Sequence, residues 1–117
     1  MHELSIAVQV VESAIRAIPP TLAGHQVERL TLDIGKMSSV TETSLRFCFE
    51  MASRGTSLES AELVVNEIPV TAECRACLTG WTILEPEFLC GKCGSYDIKV
   101  LTGRELMIRS IEVREKK

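Results

Sequence analysis

Cys74, Cys77, Cys90 and Cys93 form two C-x-x-C pairs with twelve residues between them. Two sulfurs three positions apart on a tight turn aim both thiolates at one point. Two such turns facing each other build a tetrahedral S4 cage of the kind that zinc accepts. Gly80, Gly91 and Gly94 offer residues free to take the positive φ of a metal knuckle. The twelve-residue separation is at the short end for paired-cysteine ribbons. Four sulfurs leave no open coordination position, so the set reads as a structural zinc site and not a catalytic one. The competing use of C-x-x-C, thiol–disulfide exchange, needs free thiolates, which coordination by all four removes. The fifth cysteine, Cys48, stands between Phe47 and Phe49 and reads as a core residue.

A second group of donors stands at the beginning of the chain. The amine of Met1, the backbone nitrogen of His2 and its imidazole Nδ1 can close two fused chelate rings, and the backbone nitrogen of Glu3 adds a fourth donor. Four nitrogens in a plane suit Ni(II) or Cu(II) and not tetrahedral zinc; ligand type alone does not separate the two ions. These donors lose protons on binding, and an imidazole near ~6.5 and an amine near ~8 put that competition close to neutrality. The set requires Met1 to be retained and unblocked, which a bulky second residue favours. His2 also has a plainer reading, as an inert exposed residue. His25, after Gly24, reads as a surface histidine, and Trp81 and Phe88, between the cysteine pairs, as packing for a small metal module.

The elements that must position these groups follow from periodicity. Leu4, Ala7/Val8, Val11, Ala14/Ile15 and Ile18 give a helix with one apolar stripe, stopped by Pro19-Pro20. Val27 to Ile34 alternates, with Leu30, Leu32 and Ile34 inward and Arg29, Thr31 and Asp33 outward. A second helix is expected from Thr41 or Glu42 to Arg54, with Ser39 or Thr41 as N-cap, Leu45, Phe49 and Ala52 as its stripe and Gly55 as its stop. Glu62 to Ile68 and Glu105 to Glu115 read as strands, the latter changing parity near Arg109-Ser110. The expected fold is α+β: residues 1–69 with 105–117 form an alpha/beta domain, two helices on a mixed three-stranded sheet completed by the C-terminal strand. Residues 70–104 form an inserted four-cysteine zinc ribbon.

Composition narrows the function. The chain has 117 residues, 45 % hydrophobic, with no apolar run long enough to span a bilayer. It opens on Met1-His2-Glu3, without the positive region of a secretory signal, so a cytoplasmic location with reduced thiols is expected. The net charge is −3. Within residues 70–104, Arg75, Lys92, Lys99 and Arg104 balance Glu73, Glu85, Glu87 and Asp97, and four thiolates on a divalent ion add negative charge. That excludes the electropositive face a nucleic-acid ribbon needs. No nucleophile–base pair, phosphate loop or catalytic carboxylate pair stands out, so the chain does not read as an enzyme.

Met1-His2-Glu3-Leu4-Ser5, Leu32-Asp33-Ile34-Gly35, Leu45-Arg46-Phe47-Cys48-Phe49-Glu50, the paired C-x-x-C motifs and Ile108-Arg109-Ser110-Ile111-Glu112-Val113 together resemble the HypA/HybF family of nickel metallochaperones along the whole chain. The resemblance implies His2 as the nickel ligand with the Met1 amine and the Glu3 backbone, and structural zinc on Cys74, Cys77, Cys90 and Cys93. It implies Ni(II) as cargo for nickel–iron hydrogenase, with a HypB-type GTPase and the hydrogenase large subunit as partners, and in some organisms urease and its accessory proteins. The rival reading is an adaptor whose ribbon presents a protein-binding surface and carries no metal cargo.

Overall fold

The structure, a computed structural model, describes residues 3–85 and 87–114. Its chain divides into two compact units. Among the described residues, one holds 3–33, 39–66 and 107–114; the other holds 34–38, 67–85 and 87–106.

The first unit is built on helix α1 (Glu3–Ala17), helix α2 (Glu42–Ala52) and a sheet in the order β2 (Glu62–Ile68), β1 (Val27–Gly35), β6 (Leu106–Val113). The sheet is mixed. Arg114 N donates to Gln26 O at one end of β1 and Gly35 N to Glu105 O at the other, so β6 runs antiparallel to β1. Arg29 reaches Glu62 and Asn66 reaches Asp33, equal steps along both strands, so β2 runs parallel to β1. A parallel pair needs a crossover, and α2 supplies it. Thr41 caps α2 by accepting from Ser44 N at 3.4 Å, and Gly55, at φ 77, follows its end. Arg46 ties the helix to β2 by donating to Leu63 O at 2.6 Å. Ala7, Ala14, Leu30, Leu32, Leu45 and Leu58 are at most 1 % exposed and mark the core.

Two expectations need correction here. The inward face of α1 is Ile6, Ala7, Val10, Val11 and Ala14, while Leu4, Val8 and Ile15 are exposed. Apolar residues cover a wider arc of this helix than the sheet can bury, and spacing alone does not choose the inward part. Asp33, expected on the solvent face of β1, is 7 % exposed. Arg109 of β6 donates to both its oxygens, at 2.9 and 3.0 Å, and Asn66 of β2 donates to Oδ1 at 3.3 Å. One carboxylate thus joins all three strands. Farther along that face Arg29 donates to Glu62 at 2.8 Å and to Glu112 at 2.6 Å. On β6, Ile108, Ile111 and Val113 are the half-buried residues, so inward parity changes between 108 and 111 as the sequence suggests.

The second unit is a sheet in the order β4 (Gly80–Ile83), β3 (Val70–Cys74), β5 (Ile98–Thr102), antiparallel throughout. Gly35 lies against its closing turn. A Cβ on Gly35 would fall 2.0 Å from Gly103 O, and Gly103 itself, at φ 118, leaves no room beside Val70. Met37 N donates to Gly103 O at 2.7 Å, which holds that backbone in place.

Gly35→Ala is therefore expected to destabilise this unit by about 3 kcal/mol, because fixed backbone must move to admit one methyl group. Thermal unfolding followed by Trp81 fluorescence measures it. The Arg109 guanidinium, then desolvation opposing it and the Asn66 amide assisting, leave the Asp33 carboxyl below its ordinary value. A lowered carboxylate contributes stability that is complete above the ordinary range near 3.8 and is lost as pH falls through the folded value. Both helices belong to the first unit, so melts recorded by helical circular dichroism between pH 5 and pH 3 should fall more steeply in the parent than in Asp33→Asn.

Candidate metal centre

The four spaced cysteines meet at one point. Their Sγ atoms all lie within 4.8 Å of one another, with Cys74 to Cys93 at 3.6 Å and Cys77 to Cys90 at 3.7 Å. A tetrahedral zinc with Zn–S bonds of ~2.3 Å has an S–S edge of about 3.8 Å. The close pairs therefore match opposite edges of a zinc tetrahedron, and each edge links the two knuckles. Cys74 and Cys90 are buried, Cys77 and Cys93 exposed, so the cage sits at the surface with half its sulfur shielded.

The two knuckles share one backbone pattern. In the first, Leu78 N donates to Cys74 O at 2.8 Å and Cys74 N to Thr79 O at 2.9 Å. In the second, Gly94 N donates to Cys90 O at 2.8 Å and Cys90 N to Ser95 O at 2.9 Å. The pattern forces the residue after the second cysteine into the left-handed region: Gly94 at φ 78 and Leu78 at φ 64. Of the three glycines singled out in the sequence only Gly94 takes positive φ, and the first knuckle uses a leucine instead. The signal for this was present in the repeat C-x-x-C-x-T/S, Cys74 to Thr79 and Cys90 to Ser95, which maps the two turns onto each other.

Electrostatics of the sulfurs points to a cation. The side chain of Thr79, 3.2 Å from Cys77 Sγ, and then its backbone bring the Cys77 thiol down to about 6. Backbone N–H groups of Cys93 and Lys92 lower Cys90. At Cys93 the Ser95 backbone favours the thiolate, but the Cys74 thiol, desolvation and the other two sulfurs outweigh it and push the group up to about 12. Crowded thiols cannot all ionise unless a positive ion stands among them. The distances, the donor set and this frustration fit zinc, and loading such a site releases protons.

Met1 and His2 lie outside the described residues, and Glu3 is the first residue of α1. Cys48 is half-buried beside the core residue Phe49. Trp81 is half-buried in the ribbon, whereas Phe88 is exposed. His25 is not a plain surface residue: it is half-buried, and its Nδ1 is enclosed without a hydrogen-bond partner among the described residues.

The family described as "Hydrogenase/urease nickel incorporation, metallochaperone, hypA" matches residues 1–113. The chain belongs to the HypA family. It is 44 % identical over 115 residues to hydrogenase maturation factor HypA of Desulfosudis oleivorans, covering 98 % of this chain and all of that one. It is 42 % identical to the HypA of Nostoc sp., covering 98 % and 97 %. The fold is similar to the solution structure of the Ni metallochaperone HypA from Helicobacter pylori, with a TM-score of 0.66 at 23 % identity, covering 99 % of this chain and 100 % of that one. HypA proteins are nickel metallochaperones of hydrogenase maturation and not enzymes. Among the described residues, no helix is long and apolar enough to cross a membrane.

Leu78 sets up a direct test of the knuckle geometry. Its side chain is 70 % exposed, so replacing it sacrifices little burial, while the left-handed backbone costs an L-residue about 1–2 kcal/mol. Leu78→Gly should therefore stabilise the zinc-loaded ribbon by about 1 kcal/mol, and Gly94→Ala should destabilise it by a similar amount. Competition with a coloured zinc chelator and thermal melts both read the difference.

Proposed function

We propose that this protein carries Ni(II) at its N-terminus and delivers it during maturation of nickel–iron hydrogenase, with zinc held structurally by Cys74, Cys77, Cys90 and Cys93. The family match over residues 1–113 carries the reading. The proposed nickel ligands are the Met1 amine, the backbone nitrogen and imidazole of His2 and the backbone nitrogen of Glu3. A feature of α1 supports that set. Glu3 opens the helix, and a first-turn amide has no carbonyl four residues earlier to bond, so its nitrogen is not committed to the helix.

The two sites suit different tasks. A closed sulfur cage couples metal binding to local folding and releases its ion slowly. A terminal nitrogen set is undone by protonation or by exchange with a partner's ligands. The proposed partners are a HypB-type GTPase and the hydrogenase large subunit in the cytoplasm, with urease accessory proteins as a further outlet. Leu4, Val8 and Ile15 support docking at α1, because they leave an exposed apolar line that begins two residues after His2.

Nickel titration of untagged protein with its native first residue tests the reading. One nickel per chain is expected to bind beyond the zinc, with affinity rising from pH 6 to pH 8 as imidazole and amine lose protons. His2→Ala should weaken nickel binding at least ten-fold while zinc content and helical signal stay at parental levels. Nickel uptake unaffected by His2→Ala would remove the proposed ligand set. Absence of any nickel site beyond the zinc would instead favour the adaptor reading.

A further inference from the structure

The ribbon has an unfilled strand position. β4 is an edge strand, and its pairing with β3 fixes which of its backbone groups face outward. Cys74 N donates to Thr79 O, and in an antiparallel pair the bonded positions alternate, so Ala72–Trp81 and Val70–Ile83 are the bonded pairs. Gly80 and Thr82 then direct their N–H and C=O groups away from β3, and no described backbone group pairs with them. Beside this edge lies a cavity of about 470 Å³. Trp81, Thr82 and Ile83 line it from the strand, and Leu89 and Lys92 line it from the second knuckle. Glu85 and Glu87 also line it, and Leu84, at the end of β4, is 88 % exposed.

We infer that this groove binds an extended, basic segment of a partner protein as an added fourth strand against β4. Outward backbone groups at Gly80 and Thr82 offer the hydrogen bonds, and Trp81 and Ile83 offer an apolar wall for alternate side chains of the guest. Charge selects the guest. Glu85 and Glu87 outnumber Lys92 along the groove, and the thiolates of the adjoining knuckle add negative charge that one divalent ion does not cancel. A guest with lysine or arginine at its remaining positions is complementary. A second copy of this chain would bring the same acids against themselves, which disfavours edge-to-edge pairing of two ribbons.

The test uses full-length, zinc-loaded protein and two ten-residue probes, one alternating valine with lysine and the other valine with glutamate. The lysine probe should slow hydrogen exchange at the Gly80 and Thr82 amides at least ten-fold and shift the emission of Trp81, the sole tryptophan. The glutamate probe should do neither. Thr82→Pro removes one outward donor without touching the β3 ladder, and should weaken the lysine probe at least five-fold at unchanged zinc content. Should that variant lose zinc, the double variant Glu85→Lys, Glu87→Lys decides, and it should reverse the preference between probes. Equal binding of both probes, unchanged exchange at Gly80 and Thr82 under saturating lysine probe, or protection of those amides by self-association would each overturn the inference.

Discussion

Four sulfurs within 4.8 Å of one another are a liability until a cation joins them. The ribbon has three short strands and little enclosed apolar surface, so it cannot offset that crowding by hydrophobic burial alone. Its two knuckles are shaped instead around the metal. Matched backbone hydrogen bonds aim each sulfur pair inward, at the expense of left-handed backbone at Leu78. The strain is tolerable because the turn is held by its own backbone bonds, Leu78 N to Cys74 O and Cys74 N to Thr79 O.

The first unit solves a different problem. Its centre is β1, flanked by one parallel and one antiparallel neighbour, and one face of the sheet carries charged and polar side chains among the described residues. Charge and hydrogen bonding do there what apolar packing does among Leu30, Leu32 and Leu45. Asp33 receives donors from both flanking strands, and Arg29 gives donors to both. Burial of Asp33 is acceptable only because Arg109 satisfies both of its oxygens.

Much of this was readable from the chain. Pro19-Pro20, Gly35 and Thr41 mark element ends by local chemistry, and the alternation of Leu30, Leu32 and Ile34 marks a strand, because these signals depend on neighbours in sequence. The metal cluster was readable for the same reason, since C-x-x-C encodes its own turn. What was not readable depends on distant partners. The inward arc of α1 is set by the sheet it meets, and Asp33 is buried because Arg109, seventy-six residues later, arrives beside it. Leu78 escaped because leucine carries no mark of left-handed backbone; only its alignment with Gly94 in the second knuckle reveals it. The enclosed Nδ1 of His25 has no sequence signal at all.

Arg29 illustrates how a single side chain can act as a strap. Its Nε and Nη1 engage carboxylates on opposite neighbouring strands at the same time, from two separate nitrogens of one rigid planar fork. A lysine at this position would conserve the formal charge but gather all its donors on one nitrogen, without the fixed spread of the guanidinium. Cohesion across that charged face therefore draws on the shape of the guanidinium, a property that charge counting does not register.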